Sequence, residues 1–138
     1  MRIPGLEIQL DASAVPWRET SVPGVQWLLL GGAPPEGRGT ARESAVLIRM
    51  EPGCGYPAHR HIDVEEVLVL QGGYVDERGI HGPGNYVRYE AGSTHAPVAV
   101  GDPERPVGPS NPACVLYAIA RGGIEHVDGH HDRRGDCP

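Results

Sequence analysis

Three histidines and one glutamate have a spacing that could bind a metal ion. His59 and His61 are separated by one residue, Glu65 follows four residues after His61, and His95 lies thirty residues further on. In an extended strand, residues i and i+2 project from the same face with Cα atoms roughly 6.6 Å apart, so both imidazoles can converge on one ion. A short turn over 62–64 would return Glu65 to that face, where an unpaired carboxylate is costly. The spacing therefore makes His59, His61 and Glu65 candidate metal ligands, whereas His95, just after a Gly-Ser-Thr turn, is a candidate only in their company.

The elements that must position these residues are strands. Runs rich in Val, Leu, Ile and Tyr alternate with Gly and Pro turn signals, which is an all-β pattern. The region 11–19 is the strongest helical candidate, but Pro16 limits it to a turn or two. The predicted strands are Val25–Leu30, Ser44–Met50, Glu66–Leu70, Tyr86–Tyr89 and Cys114–Ala120.

The length and composition indicate one globular domain. With 138 residues the chain is long enough for a single hydrophobic core. All twelve basic residues are arginines, so lysine chemistry is excluded, and the net charge of −6 argues against nucleic acid or an anionic membrane as a partner. No segment resembles a signal peptide or a membrane span, which predicts a cytoplasmic protein. Three widely spaced cysteines form no CxxC pair and suggest no zinc ribbon.

The first metal-ligand cluster matches a known motif, G-x5-H-x-H-x3,4-E-x6-G, of the cupin superfamily. Gly53, His59, His61, Glu65 and Gly72 stand at every required position. This resemblance implies a single-domain jelly-roll β-barrel. It also implies that the histidines and the glutamate of the motif bind a metal.

The second cupin motif, G-x5-P-x-G-x2-H-x3-N, aligns with two departures. Gly84, Gly92 and His95 are in register, whereas Glu90 replaces the usual proline and Ala99 the usual asparagine. Neither departure is at a ligand position. The resemblance thus implies that His95 completes a set of four ligands.

Residues 14–121 resemble one branch of the superfamily, the cupin-like domain of ChrR-type zinc anti-sigma factors, to which acetylacetone and dihydroxyacetophenone dioxygenases are related. The long run from Tyr56 to Pro97 carries this similarity. We expect an N-terminal arm over 1–13, a cupin domain over 14–127 and a flexible tail over 128–138. A homodimer is expected by resemblance, and the apolar residues on both faces of the strand after Glu65 support it.

Three imidazoles and one carboxylate suit one divalent ion, Fe2+ or Zn2+, with Mn2+, Ni2+ or Co2+ as alternatives. An octahedral ion would keep about two positions open for a substrate. A tetrahedral zinc would be closed by the four ligands, as in a structural site. The four ligands are compatible with both an open octahedral site and a closed tetrahedral site.

Other residues are weaker candidates. The candidates for contact with a substrate lie on two predicted strands, and strand parity alone does not say which face is inward. They are Arg49 or Met50 on one strand, and Tyr86 and Arg88 or the alternate set Asn85, Val87 and Tyr89 on the other. His81 is interpreted as an exposed turn histidine.

Cys54 is expected to be a small buried side chain facing away from the ligands. Trp17 and Trp27 are expected to seal the barrel or a subunit contact, and His126, His130 and His131 are not expected to bind the metal.

Three functions remain open. The first is a mononuclear dioxygenase acting on a small oxygenated substrate such as a diketone or a hydroxyaryl ketone. The second is a non-catalytic zinc sensor or regulator like the anti-sigma domain, although no His/Cys cluster precedes residue 14 to bind a sigma factor. The third is metal-dependent isomerase, lyase or cyclase chemistry on a small molecule. Fold alone does not choose among them.

Overall fold

The structure is a computed structural model that describes residues 1–33 and 43–127. The predicted flexible tail, with His130 and His131, lies outside the described residues. In the described part no helix has the length and hydropathy that a membrane crossing needs.

The described residues form twelve strands and no helix, which confirms the all-β prediction. The strands are β1 (Arg18–Glu19), β2 (Val25–Gly32), β3 (Ser44–Met50), β4 (His59–His61), β5 (Glu65–Gln71), β6 (Tyr74–Asp76), β7 (Gly79–His81), β8 (Tyr86–Tyr89), β9 (Thr94–His95), β10 (Val98–Ala99), β11 (Cys114–Ala120) and β12 (Ile124–His126).

These strands make one large and two small antiparallel sheets. The large sheet has the order β1-β2-β3-β11-β5-β8, and the small sheets have the orders β10-β6-β7 and β12-β4-β9. The crossovers between strands distant in sequence are those of a jelly roll, so the single-domain cupin barrel is the observed architecture.

The core lies on the inner face of the large sheet. Along β5, Val67 and Val69 are buried while Leu68 is half-buried, as a period of two requires. Leu116 and Ala118 of β11 continue the same core. The interior of the barrel therefore combines valines and alanines with larger side chains such as Met50 and Tyr74.

The motif glycine at the end of β5 allows a tight turn. Gly72 has φ +65°, and a Cβ at this position would lie 2.7 Å from the carbonyl oxygen of Ala113. Only glycine combines that backbone conformation with so close an approach. The turn directs the chain from the large sheet into β6, which belongs to a small sheet.

Outside the strands, the predicted helical candidate is a single turn, in which the Ala14 amide donates to the Asp11 carbonyl. The proline-rich segment 101–112 is a loop. The buried side chain of Asn111 organises it by donating to the Asp102 and Arg105 carbonyl oxygens and by accepting from the Asp102 amide.

Candidate metal centre

The four residues of the predicted site come together at one end of the barrel. β4 presents His59 and His61 on the same face, and the pairing of β4 with β9 places His95 directly opposite His59. Glu65 is the first residue of β5 in the large sheet. All four are buried, with His61 wholly inaccessible and Glu65 8% exposed.

The candidate ligand atoms form a tight group. One nitrogen from each histidine and one oxygen of Glu65 all lie within 4.8 Å of one another, an arrangement that could hold a metal ion. The His59 and His95 Nε2 atoms are 2.9 Å apart, and His61 Nε2 is 2.6 Å from Glu65 Oε2. His95 Nε2 is 3.9 Å from the same oxygen.

Hydrogen bonds at Nδ1 determine the tautomers of two of the rings, His59 and His61. His59 Nδ1 lies 2.9 Å from the Pro57 carbonyl oxygen, which can only accept. His61 Nδ1 lies 3.0 Å from Ser93 Oγ, and that hydroxyl donates its own proton to the Glu90 carbonyl oxygen. Both rings therefore carry the proton on Nδ1 and leave the Nε2 lone pair free.

A hydrogen bond at Nδ1 also determines the tautomer of the third ring, His95. His95 Nδ1 lies 3.0 Å from Asp76 Oδ2, a carboxylate oxygen that accepts a hydrogen bond from the ring N–H group. Burial would raise the pKa of Asp76, but hydrogen bonds from His95, Tyr89 and His81 outweigh it and hold the pKa well below its usual range. Asp76 is therefore ionised, and His95 is protonated on Nδ1.

Three lone pairs and one carboxylate thus point at a common space. Within residues 1–33 and 43–127, no hydrogen-bond donor faces His61 Nε2 or Glu65 Oε2, although both atoms are buried. Burial lowers the pKa of His59 to about 4, so this ring is neutral at pH 7 and cannot supply a proton to its neighbours. Unpaired acceptors at such distances repel one another unless a cation lies between them. The chemistry of the donor set fits a divalent ion.

An apolar cavity opens beside this cluster. Its floor is the inner face of the large sheet, with Val46, Ile48 and Met50 from β3 and Leu116 and Ala118 from β11. The volume inside it that the centre of a water-sized molecule can occupy is about 60 Å3. The cavity reaches His59, His95 and Glu65, so a small molecule inside it would contact the candidate metal centre directly.

The structure does not bring three of the weaker candidates to this cavity. Arg49 lies on the opposite face of β3, where it donates to Gln26 Oε1 at 2.9 Å. Tyr86 donates to Glu66 Oε1, and Arg88 is exposed and paired with Glu90. The cavity face of β3 instead carries Ser44 followed by the apolar residues Val46, Ile48 and Met50.

Sequence reasoning missed the residues behind His95. Asp76 was not singled out, and the interpretation of His81 as an exposed turn residue was wrong. The His81 side chain is 12% exposed, lies on β7 and has its Nε2 2.9 Å from Asp76 Oδ1. The alternation of Tyr74 and Asp76 after a Gly-Gly turn is the only local signal, and it indicates no more than a short strand.

The remaining candidates are outside the cluster. Cys54 is fully buried, as expected, and Trp27 belongs to the core, whereas Trp17 is half-buried. His126 is exposed at the end of β12. Burial raises the pKa of Cys114 to about 12, so its thiol is not a nucleophile at neutral pH.

The sequence profile of the ChrR cupin-like domain matches residues 6–104, which is most of the chain. The chain belongs to this family. No curated protein matches the sequence. Among solved structures, the complex of Rhodobacter sphaeroides SigE with the anti-sigma factor ChrR aligns at 28% identity and a TM-score of 0.58. That alignment covers 79% of this chain and 50% of the other, so this ChrR cupin-like protein spans only half the length of that relative.

Two further structures support the fold. A proposed acetylacetone dioxygenase from Methylibium petroleiphilum aligns at 17% identity and a TM-score of 0.65, covering 91% of this chain and 84% of the other. The polyketide cyclase RemF from Streptomyces resistomycificus aligns at 21% identity and a TM-score of 0.57, covering 91% and 88%. At these identities the likeness concerns the cupin barrel and not the reaction.

Proposed function

We propose that this ChrR cupin-like protein is a mononuclear metal-dependent dioxygenase for a small, neutral, oxygenated substrate. His59, His61, Glu65 and His95 are the proposed ligands of one divalent ion, Fe2+ in the catalytic form. The observation that carries the proposal is the convergence of three Nε2 lone pairs and a buried carboxylate beside an apolar cavity. When bound, the ion supplies Lewis acidity and orients the reactants.

The cavity lining supports a diketone or hydroxyaryl ketone as the substrate. Apart from the histidines and Glu65, the described residues that line the cavity include no charged side chain. A carboxylate or phosphate substrate would therefore have no partner there, whereas a neutral molecule would bury its carbon skeleton against the apolar floor.

Besides the proposed ligands, the ionisable side chains on the described lining are the phenols of Tyr56 and Tyr74. The Glu65 carboxylate belongs to the ligand set and is not a free base. A diketone or hydroxyaryl ketone is acidic enough to lose a proton without a strong protein base, which suits such a site. The chain's own role is then to bind the substrate, orient it and exclude water with the residues of β3 and β11.

Elemental analysis of anaerobically purified protein, followed by oxygen uptake with a panel of diketones and hydroxyaryl ketones, tests this proposal. We expect about one iron per chain and uptake with at least one member of the panel. Iron-loaded protein without uptake for any member of the panel would contradict the dioxygenase proposal.

A zinc-binding sensor is the second candidate, and the ChrR relationship favours it. Four protein ligands close a tetrahedral zinc, which then has no position for a substrate. Tightly bound zinc, together with no oxygen uptake after iron reconstitution, would support this function. The homodimer and the cytoplasmic location stay predictions.

A further inference from the structure

The carboxylate of Asp76 accepts four hydrogen bonds. Its side chain is fully inaccessible to solvent. Oδ2 accepts from His95 Nδ1 at 3.0 Å and from the Tyr89 hydroxyl at 2.5 Å, and Oδ1 accepts from His81 Nε2 and from the Arg78 amide, both at 2.9 Å. A buried carboxylate with four donors is held in one position.

The Tyr89 hydroxyl is itself fixed by a second tyrosine. The Tyr89 hydroxyl donates its hydrogen bond to Asp76. The Tyr74 hydroxyl must therefore donate to the Tyr89 oxygen, at 2.6 Å. Tyr74 is 1% exposed and lines the apolar cavity. A chain of directed hydrogen bonds therefore runs from the cavity wall through Tyr89 and Asp76 to His95.

We propose that Asp76 is the positioning residue of the metal centre, which holds His95 in the Nδ1–H tautomer and so aims its Nε2 lone pair at the ion. The inference rests on the proposed metal centre but not on the dioxygenase reaction. A carboxylate behind a metal-bound imidazole fixes the ring orientation and makes the ligand nitrogen more basic. The Ser93 hydroxyl and the Pro57 carbonyl oxygen accept from Nδ1 of the other two rings, so among the described residues only His95 has a charged partner at Nδ1.

The four donors make asparagine a poor replacement for Asp76. The Arg78 amide is an obligate donor, so the single side-chain oxygen of the introduced asparagine would have to take the place of Oδ1. The NH2 group would then face His95 Nδ1, which would have to accept. That reverses the His95 tautomer, places a proton on Nε2 and removes the lone pair from the metal centre.

Asp76→Asn is therefore the decisive variant, with Glu77→Gln as its matched control. Glu77 is the exposed neighbour of Asp76, and the control makes the same change of charge without touching His95. Full-length proteins are purified without metal, and Co2+ affinity is measured by competition with a chelator, together with the Co2+ absorption spectrum and circular dichroism. We expect Asp76→Asn to weaken Co2+ binding by about 10- to 100-fold and to alter the spectrum, because partners of metal ligands have effects of this size. Glu77→Gln should match the wild type.

The outcomes separate the two proposals. Unchanged Co2+ affinity and spectrum in folded Asp76→Asn would overturn the positioning role and leave the metal centre intact. Wild-type protein that binds no Co2+ would overturn the metal centre and this role with it. Full metal binding without oxygen uptake would contradict only the dioxygenase.

A measurement on wild-type protein covers the case in which Asp76→Asn does not fold. Nitrogen NMR of the imidazole rings in Zn2+-loaded protein reports which nitrogen carries the proton. We expect His95 to be protonated on Nδ1 with the metal on Nε2. A proton on Nε2 of His95 would overturn the proposal.

Discussion

The Nε2 atoms of His59 and His95 face each other at 2.9 Å, and the Nδ1–H group of each ring donates to an acceptor on its other side. His59 donates to a carbonyl oxygen and His95 to a carboxylate, so two lone pairs meet across the gap. This arrangement is unfavourable without a cation, and it is the most direct structural argument for a metal at this place.

Replacing one histidine of the cluster should remove the metal without unfolding the barrel. Removing a residue that hydrogen-bonds to a metal ligand lowers metal affinity by about 10- to 100-fold. Removing the ligand itself, with His61→Ala, should lower it by more than about 100-fold. The measurement is metal content per chain after dialysis, with circular dichroism to confirm the strands. His126→Ala, at an exposed histidine of β12, is the control. A full complement of metal in His61→Ala would refute the ligand assignment.

Acid should release the metal. Each imidazole must be neutral to bind, so protons compete with the ion and affinity falls as the pH is lowered. Metal retained at each pH between 7 and 4 is measured after gel filtration. An ion retained in full at about pH 4 would contradict a set of three histidine ligands.

The metal-free protein should also lose stability in acid. His59 has a pKa of about 4 when folded and 6.5 when free, so between these values the unfolded chain binds a proton that the folded chain does not. The free energy of unfolding therefore falls as the pH is lowered through this window, by up to about 3 kcal/mol from this residue, and no further below it. Urea unfolding at several pH values measures the slope. His59→Asn should have a shallower slope, and an equal slope in both proteins would refute the assignment.

Filling the cavity should block a substrate but spare the metal. Ala118 is 1% exposed on the floor of the cavity, and Ala118→Leu would occupy that space at a cost of about 1–3 kcal/mol in stability. We expect metal content to stay at one ion per chain while binding of a β-diketone probe, measured by calorimetry on loaded protein, falls by at least about tenfold. Ala45→Leu adds the same side chain on the other face of β3 and should leave probe binding unchanged.

The motif glycine after β5 should be intolerant of a side chain. Gly72→Ala would force alanine to φ +65° and place its Cβ 2.7 Å from the Ala113 carbonyl oxygen. We expect a loss of about 1–3 kcal/mol in the free energy of unfolding. Gly31 has open space around it and an ordinary φ, so Gly31→Ala is the control and should change stability little. Equal effects of the two substitutions would contradict the turn argument.

The strands and the four-residue cluster were predictable because both follow short-range rules. The runs Ser44–Met50, Tyr86–Tyr89 and Cys114–Ala120 have the bounds observed. The histidines of β4 converge because a strand has a period of two. The short strands β6, β7, β9 and β10 were not predicted, since two or three residues carry too weak a pattern.

Asp76 and His81 were missed for a different reason. Their contacts depend on pairing between strands, because β6 lies between β7 and β10 and so brings Tyr74 opposite His81. No spacing in the sequence specifies that pairing. The inward face of β3 was equally undetermined, and the register of the large sheet turns Arg49 away from the cavity.

The metal centre draws on all three sheets of the barrel. Glu65 belongs to the large sheet, the histidines to the sheet of β12, β4 and β9, and Asp76 behind them to the sheet of β10, β6 and β7. An ion bound here acts as a cross-link between layers that are otherwise joined by turns and packing. Its loss would loosen one end of the barrel as a unit, so the metal-loaded protein should unfold in a single cooperative step whose midpoint rises with free metal concentration.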